Sequence, residues 1–167
     1  MKPRSRYRKL HYQPNNPKKY IGHYPIECRS SWEIKMAQYL DLNPNVISWA
    51  SEPFFIPYKF PLDENIHRYF PDYYIKMKTE KGIKELVVEV KPIKETKKPV
   101  NSRNKKTKTA KYENEVYIKN QYKWKYASEF CKTRGYEFII FTEKDLFPNK
   151  FKKAQDSKSY SRKKRVK

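Results

Sequence analysis

Two runs of strand-forming residues, DYYIKM (72–77) and IKELVVEVK (83–91), flank a short polar stretch, and that spacing constrains the fold more than any other feature of the chain. It predicts a β-hairpin around TEKG. A connection of two residues (Glu80-Lys81) or of four (79–82) leads to the same register, and both put Asp72 directly opposite Glu89. Facing residues on antiparallel strands have Cβ atoms about 5 Å apart, close enough for two carboxylates to hold one cation. Glu89 and Lys91 share a face because side chains alternate along a strand, whereas Leu86, Val88 and Val90 point the other way, into a core. A three-residue loop or a bulge would shift the pairing by one and separate the acids.

The acids are placed against both the local and the global pattern. Asp and Glu number 18 against 39 Lys and Arg, for a formal net charge of +21. Glu89 also interrupts a valine-rich strand that reads as central, where a carboxylate is unexpected. Two carboxylates at one site repel unless a cation or a proton lies between them. A hard divalent cation takes oxygen ligands and keeps waters, which suits two acids and a phosphate oxygen. Such an ion polarises a phosphodiester and acidifies a bound water, and Lys91 would orient that water or stabilise developing charge. A plainer reading stands beside this one: Pro-Asp is a common turn dipeptide, and Glu-x-Lys is ordinary on a solvated strand face.

The charge excess points to a polyanion, because each Lys or Arg that neutralises a phosphate releases counterions. Aromatic residues make up 16% of the chain and supply both core volume and flat surfaces for bases. Nucleic acid is therefore the expected partner, as substrate or as bound ligand. An RNA-binding protein of ribosomal type fits the charge but gives Asp72 and Glu89 no reason to face each other. No run of eighteen apolar residues and no apolar signal segment is present, so neither a membrane nor secretion is expected. Cys28 and Cys131 are far apart, which predicts neither a disulfide framework nor a zinc cluster.

The rest of the chain reads as an α/β domain of modest size over 20–147, between a basic arm (1–19) and a basic tail (148–167). RSSWEIKMAQYLDLNP predicts a helix capped by Ser30 and ended at Asn43-Pro44. VISWASEPFFIPYKF predicts one or two short strands interrupted by Pro53 and Pro57. Residues 92–111 carry no core pattern and read as a long basic loop. A second helix runs from about Tyr112 to Arg134, with Val116, Trp124, Ala127 and Cys131 near one face, and stops at Gly135. YEFIIFT reads as a buried strand and EKDLF as a short helical turn.

FPD at Phe70–Asp72 and EVK at Glu89–Lys91 resemble the PD-(D/E)XK nuclease superfamily. That resemblance implies a restriction-endonuclease-like core, a central mixed sheet flanked by helices, with Glu33, Asp72, Glu89 and Lys91 as the catalytic set. It also implies that Asp72, Glu89 and an acid from the preceding helix, here Glu33 in RSSWE, hold the metal. Ser30-x-x-Glu33 is equally a capping box, which would occupy the same carboxylate. NPNVISWASEPFFIPY, HRYFPDYYIK, LVVEVKP and NQYKWKYASEFCKTRGYEFIIFTEKDL, in this order, resemble the head-completion nucleases of T-even-type tailed phages. The same layout is similar to the endonuclease subunit of heteromeric bacterial transposases. Cys28 stands where an aromatic residue is expected, a departure that touches packing more than chemistry.

The resemblance implies a Mg2+-dependent endodeoxyribonuclease, with Mn2+ as a substitute and no small-molecule cofactor. It implies double-stranded DNA as substrate and portal, neck or capsid proteins as partners, first in the host cytoplasm and then at the virion head or neck. The alternative is a non-enzymatic DNA-binding structural protein that keeps the nuclease fold. Expected DNA contacts are Arg29, His67, Arg68, Lys94, Lys97, Lys98, Arg103, Lys105, Lys106, Asn120 and Lys123. For His67, Asn120 and Lys123 the competing reading is a solvated surface residue.

Overall fold

The hairpin forms in the anticipated register. In the computed structural model, which describes residues 10–100 and 107–146, Tyr73 pairs with Val88 and Thr79 with Gly82, leaving Glu80-Lys81 as the connection. Gly82 has φ +111, a conformation that only glycine adopts without strain. The chain order is β1 (Leu10–Tyr12), β2 (Ile26–Cys28), α1 (Ser31–Leu42), β3 (Val46–Ser51), β4 (Ile56–Lys59), β5 (Ile66–Tyr69), β6 (Tyr73–Thr79), β7 (Gly82–Val90), α2 (Thr107–Arg134), β8 (Glu137–Phe141) and α3 (Glu143–Leu146).

The central sheet has the strand order β3-β6-β7-β8. The first two junctions are antiparallel, and β7 pairs with β8 in parallel after the α2 crossover. β7 is thus interior and covered on both faces, which explains its near-continuous run of valines. Leu86, Val88 and Val90 face the cluster built with Met36, Ala37 and Leu40 of α1 and Trp49 of β3. The opposite face is covered by α2 and the β4–β5 ribbon, whose Ile56, Tyr58 and Tyr69 pack with Ala127. Glu89 points to this second face.

Both helices obey their local signals. Ser30 caps α1, its Oγ accepting from the Glu33 N–H at 3.2 Å. α2 ends in a Schellman motif: Gly135 has φ +72, its N–H donates to the Lys132 carbonyl, and Tyr136 N–H reaches back to Cys131 at 2.9 Å. α2 starts at Thr107 rather than near Tyr112, so the stretch read as a loop over 92–111 is shorter. It also holds a 3-10 turn at Ile93–Glu95. Once nucleated, a helix gains a hydrogen bond for each added residue, so it extends past the point where its apolar stripe fades.

Two further expectations are corrected. Within the segment read as an extended arm, residues 10–19 are docked: Leu10 pairs with Cys28 and Tyr12 with Ile26. The fully buried Asp41 accepts from the Tyr12 hydroxyl (2.9 Å) and from the backbone N–H groups of Asn15 (2.6 Å) and Asn16 (2.9 Å). Lys19 Nζ donates to the carbonyls of Asp41 and Asn43 at the end of α1. These bonds span more than twenty residues and leave no periodic trace in the arm itself. Pro57 does not interrupt a strand but lies inside β4, opposite Arg68. The ribbon has only two strands, so Pro57 can direct its missing donor outward. Among the described residues, no helix is long and apolar enough to cross a membrane.

Candidate active site

The β6–β7 ladder ends at Tyr73–Val88, and Asp72 and Glu89 are the next residues beyond it on the two strands. Asp72 Oδ2 accepts from the Val90 N–H across the pair at 2.7 Å, and its backbone carbonyl accepts from Glu52 N–H at 3.0 Å. Glu89 is only 3% exposed. Its Oε2 accepts from the hydroxyl of Tyr69 at 2.7 Å, and its Oε1 pairs with Lys91 Nζ at 3.0 Å. Lys91 is itself fixed by β8, since its N–H donates to the Phe141 carbonyl at 2.9 Å. No periodic pattern in the sequence announces Tyr69, because β5 is only four residues long. The available signal is the pairing of HRY with IPY.

The electrostatics are those of a crowded pair of acids. Burial, followed by the Glu89 charge, pushes the Asp72 carboxyl well above the usual range, and the Val90 N–H and Lys91 offset this only in part. Burial pulls the Lys91 ammonium down, but Glu89 and Asp72 more than reverse this and hold it above its ordinary value. Burial, with the Glu89 charge and hydrogen bond, drives the Tyr69 hydroxyl far up, so it stays a donor.

The remaining site residues differ in where the fold places them. Glu33 is on the capping box: its carboxylate accepts from Arg29 N–H and from Ser30 Oγ, both at 2.8 Å. It is not brought in as a third ligand, and among the described residues no three His, Cys, Asp or Glu side chains gather to hold a metal. Its charge nevertheless reaches Asp72 and adds to the rise of that carboxyl. Arg29 pairs with Glu52 at 2.8 Å, and Glu52 holds a left-handed φ of +43 beside Asp72.

From α2, Lys123 comes to the acids, its Nζ 5.3 Å from the centroid of the Tyr69 ring. Burial lowers the Lys123 ammonium, assisted by Lys91 and Lys119 and opposed by Glu89 and Asp72. Asn120, one turn away, is 5% exposed and its Nδ2 finds no acceptor among the described residues. His67, by contrast, is engaged with Asp63 at 2.8 Å and packed between Tyr58 and Phe60. Lys94, Lys97 and Lys98 are exposed on the segment leaving Lys91, and Arg68 is exposed on β5. Arg103, Lys105 and Lys106 lie outside the described residues.

A divalent cation fits this donor set. Asp72 and Glu89 offer hard carboxylate oxygens on facing strands, and Asp72 carries a raised pKa of the kind that a bound cation reverses. The fold and this acid pair define a nuclease domain of PD-(D/E)XK type. The family model for the TnsA-like endonuclease N-terminal domain matches residues 43–143, more than half of the chain, and the chain belongs to that family. It is a nuclease, and it is 40% identical over 145 residues to the head completion nuclease of Enterobacteria phage T4, covering 84% of this chain and 95% of that protein. No solved structure matches. The family match starts after α1, so Glu33 lies outside it, whereas Asp72, Glu89, Lys91 and Lys123 lie within.

Proposed function

We propose that this chain hydrolyses phosphodiester bonds of double-stranded DNA with the help of a divalent cation, Mg2+ or Mn2+, during the completion of phage heads after packaging. The observation that carries this reading is the proximity of Asp72 and Glu89 just beyond the end of the β6–β7 ladder, crowded enough to raise the Asp72 carboxyl, with Glu89 joined to Lys91. Asp72 and Glu89 hold the cation, which supplies Lewis-acid polarisation of the phosphodiester and a more acidic bound water. Tyr69 and Lys91 each take one Glu89 oxygen and so lock that carboxylate's orientation. Lys91 is also placed to align the attacking water and to stabilise charge on the phosphate oxygens. Lys123 and Asn120 present a cation and an amide donor from the facing helix, suited to a phosphate oxygen. Glu33 adds negative charge to the site while its oxygens serve the helix cap. The head-completion role is supported by the similarity to the phage T4 protein; in that role its partners would be portal, neck or capsid proteins, met in the host cytoplasm.

Cleavage of linear and branched DNA, compared in Mg2+, Mn2+ and EDTA, tests the reaction. Tight binding without cutting in any condition would leave a structural DNA-binding protein instead. Cation binding has its own readout in thermal stability. The folded-state pKa of Asp72 lies above its unfolded value, so its stabilising contribution is present at low pH and is lost as pH rises through the folded value. A cation removes that penalty, so the rise in melting temperature caused by Mg2+ should grow as pH is raised above the ordinary carboxylate range. Glu33→Gln keeps a capping residue and should leave the metal-free melting temperature unchanged, yet weaken Mg2+ binding several-fold. A Mg2+ shift that ignores pH and survives Asp72→Asn would place the ion elsewhere.

A further inference from the structure

The β4–β5 ribbon has two faces of opposite character. Ile56, Tyr58 and Tyr69 point inward and pack on α2, which accounts for the apolar burial the ribbon needs. The outward face carries Phe55, Pro57 and Lys59 from one side and Ile66, Arg68 and Phe70 from the other, all exposed and none acidic. The pairing Ile56–Tyr69 continues outward to set Phe55 against Phe70, and these rings lie 6.0 Å apart at 52°. Each is 46% exposed. The Arg68 guanidinium rests on Phe55, 4.9 Å from its centroid.

The position of the pair matters as much as its chemistry. Phe70 is two residues from Asp72, at most about 7 Å along an extended chain, or roughly two base steps of DNA. The ribbon therefore ends in two flat apolar faces and a cation beside the acids. Two exposed rings held on rigid backbone by a stacked arginine are a poor surface for water. They match a nucleobase, which offers a π-face to stack and sits next to a phosphate that the guanidinium attracts. In continuous duplex those base faces are already stacked on one another. They become available where pairing is broken.

We propose that Phe55, Phe70 and Arg68 form a stacking platform for an unpaired nucleobase next to the cleaved bond, so that the preferred substrate is DNA with unpaired bases at the cut (a frayed end, a gap or a branch). This deepens the nuclease reading and rests on it. The opposing explanation, cross-strand packing between neighbouring rings, accounts for the contact between Phe55 and Phe70 but not for their shared exposure or for Arg68.

The experiment uses the full chain carrying Asp72→Asn to prevent cutting, and two oligonucleotides of equal length. One is a perfect duplex and the other a fork with 2-aminopurine in its first unpaired position. Binding is read by anisotropy, and stacking by quenching of the 2-aminopurine. The fork should bind about tenfold or more tightly than the duplex, with strong quenching. Phe55→Ala with Phe70→Ala should abolish both the preference and the quenching, and Phe55→Trp with Phe70→Trp should retain them; circular dichroism checks folding. Equal affinities, or a preference that survives the double alanine change, would overturn the platform. Cleavage by the native chain separates the two readings. Cutting without fork preference removes the platform alone, whereas fork preference without cutting in any divalent cation removes the nuclease reading and leaves the three side chains as a binding platform only.

Discussion

Asp72→Asn should lower the cleavage rate by about three orders of magnitude, roughly 4 kcal/mol of barrier, and yet leave the metal-free protein more stable than the native one. The two effects share one cause. Asp72 is crowded by burial and by Glu89, so ionising it in the folded protein is unfavourable until a cation is bound. An amide keeps an oxygen for the Val90 N–H and removes the repulsion along with the metal ligand. Glu89→Gln is the informative contrast. It should lose cleavage to a similar degree but also lose stability, by about 2–3 kcal/mol, because Lys91 would retain a half-buried ammonium without its partner. Single-turnover cleavage and thermal denaturation in EDTA measure both quantities. Equal destabilisation by the two changes would contradict this division of roles, and undiminished cutting by either would remove the pair from the chemistry.

The second large effect is expected far from the acids. Asp41→Ala should destabilise the domain by about 2 kcal/mol, measured by urea denaturation, since it leaves the buried Tyr12 hydroxyl and two part-buried backbone donors without their acceptor. Burial opposes ionisation of Asp41, but the donors from Asn15, Tyr12 and Asn16 prevail and hold its pKa below the ordinary value. A depressed carboxylate contributes stability above its unfolded pKa and loses it as pH falls through the folded one. The native chain should therefore loosen residues 10–20 in acid, below about pH 4, and become open to proteolysis there. The Ala variant should be open to the same cleavage at neutral pH. Tyr12 responds in the opposite sense: burial and the Asp41 charge push its hydroxyl up to about 12, so it remains a donor throughout this range.

Asp41 also illustrates which parts of the molecule were legible in the sequence. The hairpin, the Ser30 cap and the Gly135 stop are written in residues within a few positions of each other, and each is found where those residues place it. β1, β2 and β5 are three or four residues long and obtain their partners from distant segments, so no local period announces them. The same distinction runs through the site. Asp72, Glu89 and Lys91 could be placed by register alone, because one turn relates all three. Tyr69 required knowledge that β5 exists, and Lys123 required the path of a 28-residue helix across the sheet. Glu33 suited both a metal site and a capping box on sequence, and only the positions of Arg29 N–H and Ser30 Oγ show which bonds its carboxylate makes.

Glu80-Lys81, exposed at the far end of the hairpin, sets a condition on how this protein can change. Neither side chain meets the acids, so the two positions should accept many replacements. Their number is another matter. One residue added there keeps the register only if the turn itself takes it up as a three-residue connection; taken up in β7 instead, it would slide the strand by a single step and exchange the valines for Glu89 and Glu85 beneath α1. Variation at this tip is thus open in composition and conditional in length, and a length the turn cannot absorb would be felt at the opposite end of the sheet.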